Sequence, residues 1–434
     1  MQKPIITLAL IAVSAAFFLL KPKSAIVNPA DYEAFMVKKH IENAQAELAG
    51  QISFWKNKLE AQPTNFVYQK KLAGLYAADF KLSAQVESLR TSDSLLQNIN
   101  HRFPGQVGVL QSLAANAITR HAFREAEAYM TQACNTGEKK FANSLMLTDV
   151  HLERGNFYAA SSLLKDVAST SHFDFLIRQV KLQDQQGDLK KAIESMEQAT
   201  ALAKSSGSKS VVNWALSNLA DMYGHDGRVE KSYQTFLEAL SYEPADLHSL
   251  KGIAWVAFSH DKNTAEAKRI LHFLQTIHPV PDYDLLLSKI AAFEQDDKQA
   301  AAYRESFIAK ASNPAYGNMY KSYLCELKSE RTESTPEALA IAKAEIAERP
   351  HPKSYSLLAW TSFQNGQDQE ALRILQQHVM EQTGEPVALY HTGLILKATG
   401  HEKEARKFLE EALQASFELG PVLAHDIEEN LAQL

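Results

Sequence analysis

Small residues followed by larger ones return along this chain at an interval too long for one helix. Ala126 and Ala160 lie 34 residues apart, and so do Ala371 and Ala405. Each starts the same spacing: Met130 and Ala133 follow Ala126, Leu164 and Val167 follow Ala160, and Leu409 and Ala412 follow Ala405. Glycines precede three of the four, at Gly155, Gly366 and Gly400. Ala192, Met196 and Ala199 after Gly187 carry the pattern on, as do Ala267, Leu271 and Leu274 before Pro279. Apolar residues at these spacings make helices, and the glycine cuts each unit in two. A pair of short helices cannot bury its apolar face alone. Stacked neighbours can, so a period of this kind points to a tandem array rather than one globular core.

The stretch from Leu216 to Pro244 displays the whole unit. Leu216, Leu219, Ala220 and Tyr223 mark a first helix. Gly227 can take the positive φ that ends it with its carbonyls satisfied. Ser232, Phe236 and Ala239 mark a second helix, and Ala220 and Ser232 are the small pair that lets the two approach. Pro244 stops the unit. This skeleton resembles the tetratricopeptide repeat, W-x2-L-G-x2-Y, then A-x3-F, then P. The resemblance implies an all-α fold of tandem helix-turn-helix units coiled as a right-handed α-solenoid, the tetratricopeptide superhelix. It covers residues 65–415 in about nine or ten units. Leu72, Ala73 and Tyr76 open the first. Two degenerate units, Leu285 to Ala311 and Met319 to Pro350, fill residues 282–350, where marker residues are lost. Residues 416–434 read as a capping helix over the last apolar face. Because each unit of such an array touches its neighbours, the expected shape is extended and the expected unfolding gradual.

The N-terminus has another character. Residues 5–20, "IITLALIAVSAAFFLL", carry no charge and are flanked by Lys3, Lys21 and Lys23. As a helix they reach roughly 24 Å, short of a hydrocarbon core of about 30 Å, and the flanking lysines can snorkel. Residues 1–25 are therefore expected to be a membrane anchor, with a cleaved signal segment as the alternative. Residues 26–64 read as a lead-in. Phe35, Met36, Ile41, Leu48, Ile52, Trp55 and Leu59 fall at helical spacings from Asp31 onward. The layout resembles bacterial exported tetratricopeptide proteins with one N-terminal hydrophobic segment, which implies the periplasm or the outer face of the inner membrane.

Charge and motifs narrow the function. There are 45 Lys and Arg against 51 Asp and Glu, a formal net charge of −6. A nucleic-acid partner, which needs a basic face, is not expected. Cys134 and Cys325 form neither a disulfide framework nor a metal spacing. "HEKEA" at residues 401–405 begins like a zinc-protease helix, but Ala405 stands where the second histidine belongs. "SGSKS" at residues 206–210 lacks the upstream glycine and strand of a phosphate loop. The chain is read as no enzyme, with no cofactor and no metal.

Such arrays bind partners. The expected role is a non-catalytic scaffold holding a protein or peptide in a concave groove. The alternative is an exported receptor for a small ligand, such as a glycan fragment, which would gather aromatic residues and carboxylates at one spot. The resemblance implies a groove lined by first-helix positions of each unit. In this register they include Arg178, Lys181, Trp214, Lys251, Trp255, Phe258, Trp360, Phe363 and Tyr390. Aromatics supply contact area and the basic residues can hold carboxylates.

Overall fold

A computed structural model describes residues 25–169 and 171–434. Among the described residues the secondary structure is helical, with no strand. The hydrophobic stretch 5–20 lies outside them, and none of the described helices is long and apolar enough to cross a membrane.

A lead-in helix α1 (Lys38–Ala61) precedes ten helical hairpins. Unit 1 pairs α2 (Phe66–Ser83) with α3 (Val86–Arg102), and unit 2 pairs α4 (Val107–Thr119) with α5 (Phe123–Asn135). Unit 3 is α6 (Lys140–Glu153) and α7 (Phe157–Asp166), and unit 4 is α8 (Phe173–Gln185) and α9 (Leu189–Ser206). Units 5 and 6 are α10 (Lys209–His225) with α11 (Val229–Tyr242), and α12 (Leu247–Ser259) with α13 (Thr264–Ile277). Units 7 and 8 are α14 (Asp282–Phe293) with α15 (Asp297–Ala311), and α16 (Lys321–Ser329) with α17 (Thr335–Glu348). Units 9 and 10 are α18 (Pro352–Gln364) with α19 (Asp368–His378), and α20 (Pro386–Ala398) with α21 (Glu402–Gln414). The chain ends in α22 (Ser416–Ala432).

Local chemistry sets these boundaries. Asn65, Asn156, Asp188, Asn263 and Asp296 cap the helices that follow them, each side chain accepting from a backbone amide. At the end of α10, Gly227 sits at φ 74°, and the Arg228 amide donates to the Tyr223 carbonyl at 2.8 Å. That left-handed turn satisfies carbonyls the helix would otherwise leave open. Units 1, 2, 6 and 7 make the turn with Ala84, His121, Lys262 and Gln295, at φ between 55° and 61°. These residues carry a side chain into a region that glycine enters more cheaply, which is why glycine spacing alone does not mark those units.

The small residues do what their period demands. Ala126, Ala160, Ala192, Ala267, Ala371 and Ala405 are fully buried at the helix pairings, and Ser232 is 1% exposed. At Gly393 a Cβ would stand 2.6 Å from the Leu409 side chain, so α20 and α21 meet there without room for a methyl group. The degenerate region is irregular: Pro314–Tyr316 and Thr332–Ser334 are 3-10 turns, and α16 is cut to nine residues.

Two sequence expectations change. The amphipathic stretch from Asp31 is not one helix, because α1 begins at Lys38. The segment before it docks far away on units 5 and 6. Ile26 and Val27 amides donate to the Asp261 carboxylate, at 3.0 and 2.9 Å, and the Tyr32 ring is wholly buried, its hydroxyl bonded to Glu266. Nor is the array extended with neighbour contacts alone. It coils until its turns meet. Arg349 donates to the Glu153 carbonyl at 2.9 Å, His351 Nε2 lies 2.9 Å from Gln185 Oε1, and the Asn318 amide donates to the Arg120 carbonyl at 3.2 Å. The His351 imidazole, pushed down to about 3 by burial, is neutral and donates through Nε2 while Nδ1 accepts from the Lys353 amide.

Candidate functional site

The first helices of units 5, 6, 7 and 10 share a covered face, because α22 lies across α10, α12, α14 and α20. Its helix breaks at Gly420, where φ is 80° and ψ 168°. Ile427 and Leu419 of α22 join the buried core of units 9 and 10, while its first turn reaches back to unit 6. There the Phe417 carbonyl accepts from Trp255 Nε1 at 3.0 Å and from Ser259 Oγ at 2.6 Å. Gly224 leaves the space that the Phe417 ring fills, since a Cβ on Gly224 would stand 2.6 Å from it.

Under this crossing lies a chamber of about 410 Å³. Its walls come from α10, α11, α12, α14, α15 and α16, with Phe417 and Glu418 closing one side. Phe236, Trp255, Leu286 and Phe307 make it largely apolar. The carboxylates on its walls are engaged. Asp221 lies 2.7 Å from His248 Nε2, Asp282 accepts from the Tyr320 hydroxyl at 2.8 Å, and Glu418 faces His225 at 3.9 Å. Lys251 and Lys289 also line it. Desolvation by the surrounding walls lowers the Lys289 ammonium even though the residue keeps an exposed face, and the charge of Glu326 opposes that shift. The Glu326 carboxyl is itself pushed up to about 7, chiefly by burial.

The nine expected groove residues do not form one surface. Lys251 and Trp255 meet in the chamber. Phe258, one turn on, is a core residue at 1% exposure, packed edge-on between Trp255 and Phe293, both ring pairs at 5.7 Å. It cannot offer a contact face, because α12 turns that side into the unit 6 and 7 core. Arg178 and Lys181 share Asp149, at 2.9 and 2.8 Å, so their charge is partly answered within the chain. Trp214 is 40% exposed and stands edge-on to Phe173 at 5.9 Å. Trp360 and Tyr390 pack on His391, with Trp360 stacked on that imidazole at 4.2 Å, and Phe363 packs against the Trp360 ring at 5.7 Å. Tyr390 is sealed from the groove by α22, donating to Asp426 Oδ2 at 2.7 Å.

The sequence reading missed Lys289, Asp282, Phe417, Glu418 and Gly420. The Gly420–Pro421 pair is a breaker signal inside an apolar run. It could have shown the kink, but no local pattern shows that the kink docks more than 150 residues back along the chain. Among the described residues no group of three or more His, Cys, Asp or Glu side chains is placed to hold a metal ion. Cys325 is buried, its thiol pushed up to about 12 by burial.

The chain compares with known proteins as follows. A family profile described as tetratricopeptide repeat matches residues 174–206 and 387–418. No curated protein matches the sequence. Among solved structures, a tetratricopeptide repeat protein from Parabacteroides merdae is similar over 61% of this chain and 98% of its own, at 17% identity and TM-score 0.34. Yeast Tom70 is similar over 94% of this chain and 97% of its own, at 12% identity and TM-score 0.36. The human IFIT1 dimer solved with PPP-AAAA is similar over 87% of this chain and 88% of its own, at 13% identity and TM-score 0.44. The matched segments are units 4 and 10, so the chain carries tetratricopeptide repeats there, and helical hairpins continue between them.

Proposed function

We propose that this chain is a non-catalytic scaffold that binds a protein or peptide partner on the inner face of its coil, at the outer side of a bacterial membrane. The tetratricopeptide fold supports an interaction role. The observation that carries the reading is that the inner face already holds a peptide segment. Residues 417–421 lie across α10, α12 and α14, with a main-chain carbonyl bound by Trp255 and Ser259. Recognition of backbone by fixed side-chain donors is what a peptide groove needs. Beyond α22, Trp214 and Lys181 offer exposed aromatic and basic groups for a partner, with the largely buried Arg178 held against Asp149 beside them. The membrane placement rests on the sequence of residues 5–20.

The test is crosslinking and capture from native membranes, with the parent and with a variant carrying Arg178→Ala, Lys181→Ala and Trp214→Ala. The expected outcome is loss of a partner that the parent captures, at unchanged helicity and melting. Equal capture by the folded variant removes this surface. Release of the full-length chain by carbonate would remove the anchor.

A second reading, a small-ligand receptor, is favoured by the chamber. Phe236, Trp255 and Phe417 meet there with Asp221, Asp282 and Glu418 beside them.

A further inference from the structure

We propose that the chamber is a binding site for a small monocarboxylic acid with an apolar body. This rests on the receptor reading and names its ligand class. Three observations converge.

The first is the charge accounting of the walls. Asp221, Asp282 and Glu418 each face a partner within the chain, as described above. Lys251 and Lys289 make neither a hydrogen bond nor an ion pair among the described residues, although both line the chamber. Lys289 feels the field of Glu326, but that carboxyl is held partly protonated near neutrality by its own burial. Lys251 and the exposed Lys289 thus reach the chamber without an ion pair, while each of its three carboxylates has another partner, and a charge-assisted contact with a ligand carboxylate would engage both.

The second is Ser232. It is 1% exposed, it lines the chamber, and its Oγ has no hydrogen-bond partner. In the repeat this position is alanine in most units, and elsewhere the small side chain only permits helix contact. A buried hydroxyl left open costs stability unless something met in the chamber pairs with it.

The third is shape. The chamber's volume of about 410 Å³ falls in the range of small-molecule sites. The Phe417–Pro421 crossing blocks the groove beside it. An extended peptide running along the first helices would collide with α22, whereas a small acid enters beneath it. The apolar walls, with carboxylates already engaged, suit an aromatic or branched body better than a glycan rich in hydroxyls.

The test is calorimetric titration of the full chain with hydrocinnamate and, in parallel, with its neutral amide, hydrocinnamide. The acid is expected to bind at one site per chain, with the amide about tenfold weaker or more. Lys251→Met and Lys289→Met, which keep most of the apolar stem, are each expected to weaken the acid about tenfold and leave the amide unchanged. Far-UV spectra and melting confirm that these variants fold. Equal affinity for acid and amide overturns the proposal and leaves a receptor for neutral ligands standing. Absence of binding by both, at the millimolar concentrations where they stay soluble, overturns the proposal and the receptor reading together. Unchanged acid affinity in a folded double-lysine variant also overturns it.

Discussion

Gly420→Ala isolates the step that closes the inner face. At φ 80° and ψ 168°, Gly420 occupies backbone space that is essentially reserved for glycine. A Cβ there would also stand 2.8 Å from the far edge of the Trp255 ring. The backbone conflict alone costs about 1–3 kcal/mol, and overpacking against the half-buried indole adds about 1–3 kcal/mol. The variant cannot escape by continuing the helix in place, because Pro421 disfavours α conformation at the residue before it. Undocking is the escape. It gives up the hydrogen bonds from Trp255 and Ser259 to the Phe417 carbonyl, about 1 kcal/mol each, and the burial of the Phe417 ring, about 1.5–3 kcal/mol. The two routes cost similar amounts, so the segment 416–421 is expected to release locally while the hairpins stay folded. Hydrogen exchange reads this directly. The amides of Phe417, Glu418, Leu419, Gly420 and Val422 and the Trp255 indole should lose protection, and tryptophan emission should shift toward solvent-exposed values. If protection and emission match the parent and melting is unchanged, the reasoning about Gly420 is refuted.

Ala371 is fully buried where α18 meets α19, so Ala371→Leu should cost about 1–3 kcal/mol, seen as a lower melting temperature. Asp261, whose side chain is 1% exposed, anchors the Ile26 and Val27 amides. Asp261→Ala should cost about 1–3 kcal/mol and open the segment 25–37 to limited proteolysis, with an unchanged cleavage pattern counting against that role. Glu326 has its folded-state value raised to about 7, so the folded chain holds a proton that the unfolded chain releases earlier. Its contribution to stability is present below the ordinary carboxylate range and lost as pH rises to about 7, and Glu326→Gln should flatten the denaturation midpoint across that window.

The all-helical array was legible in the sequence because its determinants are local and repeated. Ala160, Ala371 and Ala405 recur in phase with helix pairs, and Gly227 and Gly400 end first helices by backbone geometry that depends on nearby residues. The turns at Ala84, His121, Lys262 and Gln295 were less legible, because packing there carries ordinary residues into a left-handed conformation. Register was enough to bring Lys251 and Trp255 to the inner face, but not to tell them from Phe258, because the twist of α12 decides which side faces the next unit's core. The path of the superhelix was not legible at all. Small rotations between successive units add up over the array, and only their sum brings Arg349 to Glu153, Ile26 to Asp261 and Phe417 to Trp255. The chamber depends on that sum. Its walls come from six helices and a C-terminal kink, and the sequence, read one repeat at a time, determined the units while their accumulated rotation decided which side chains would meet.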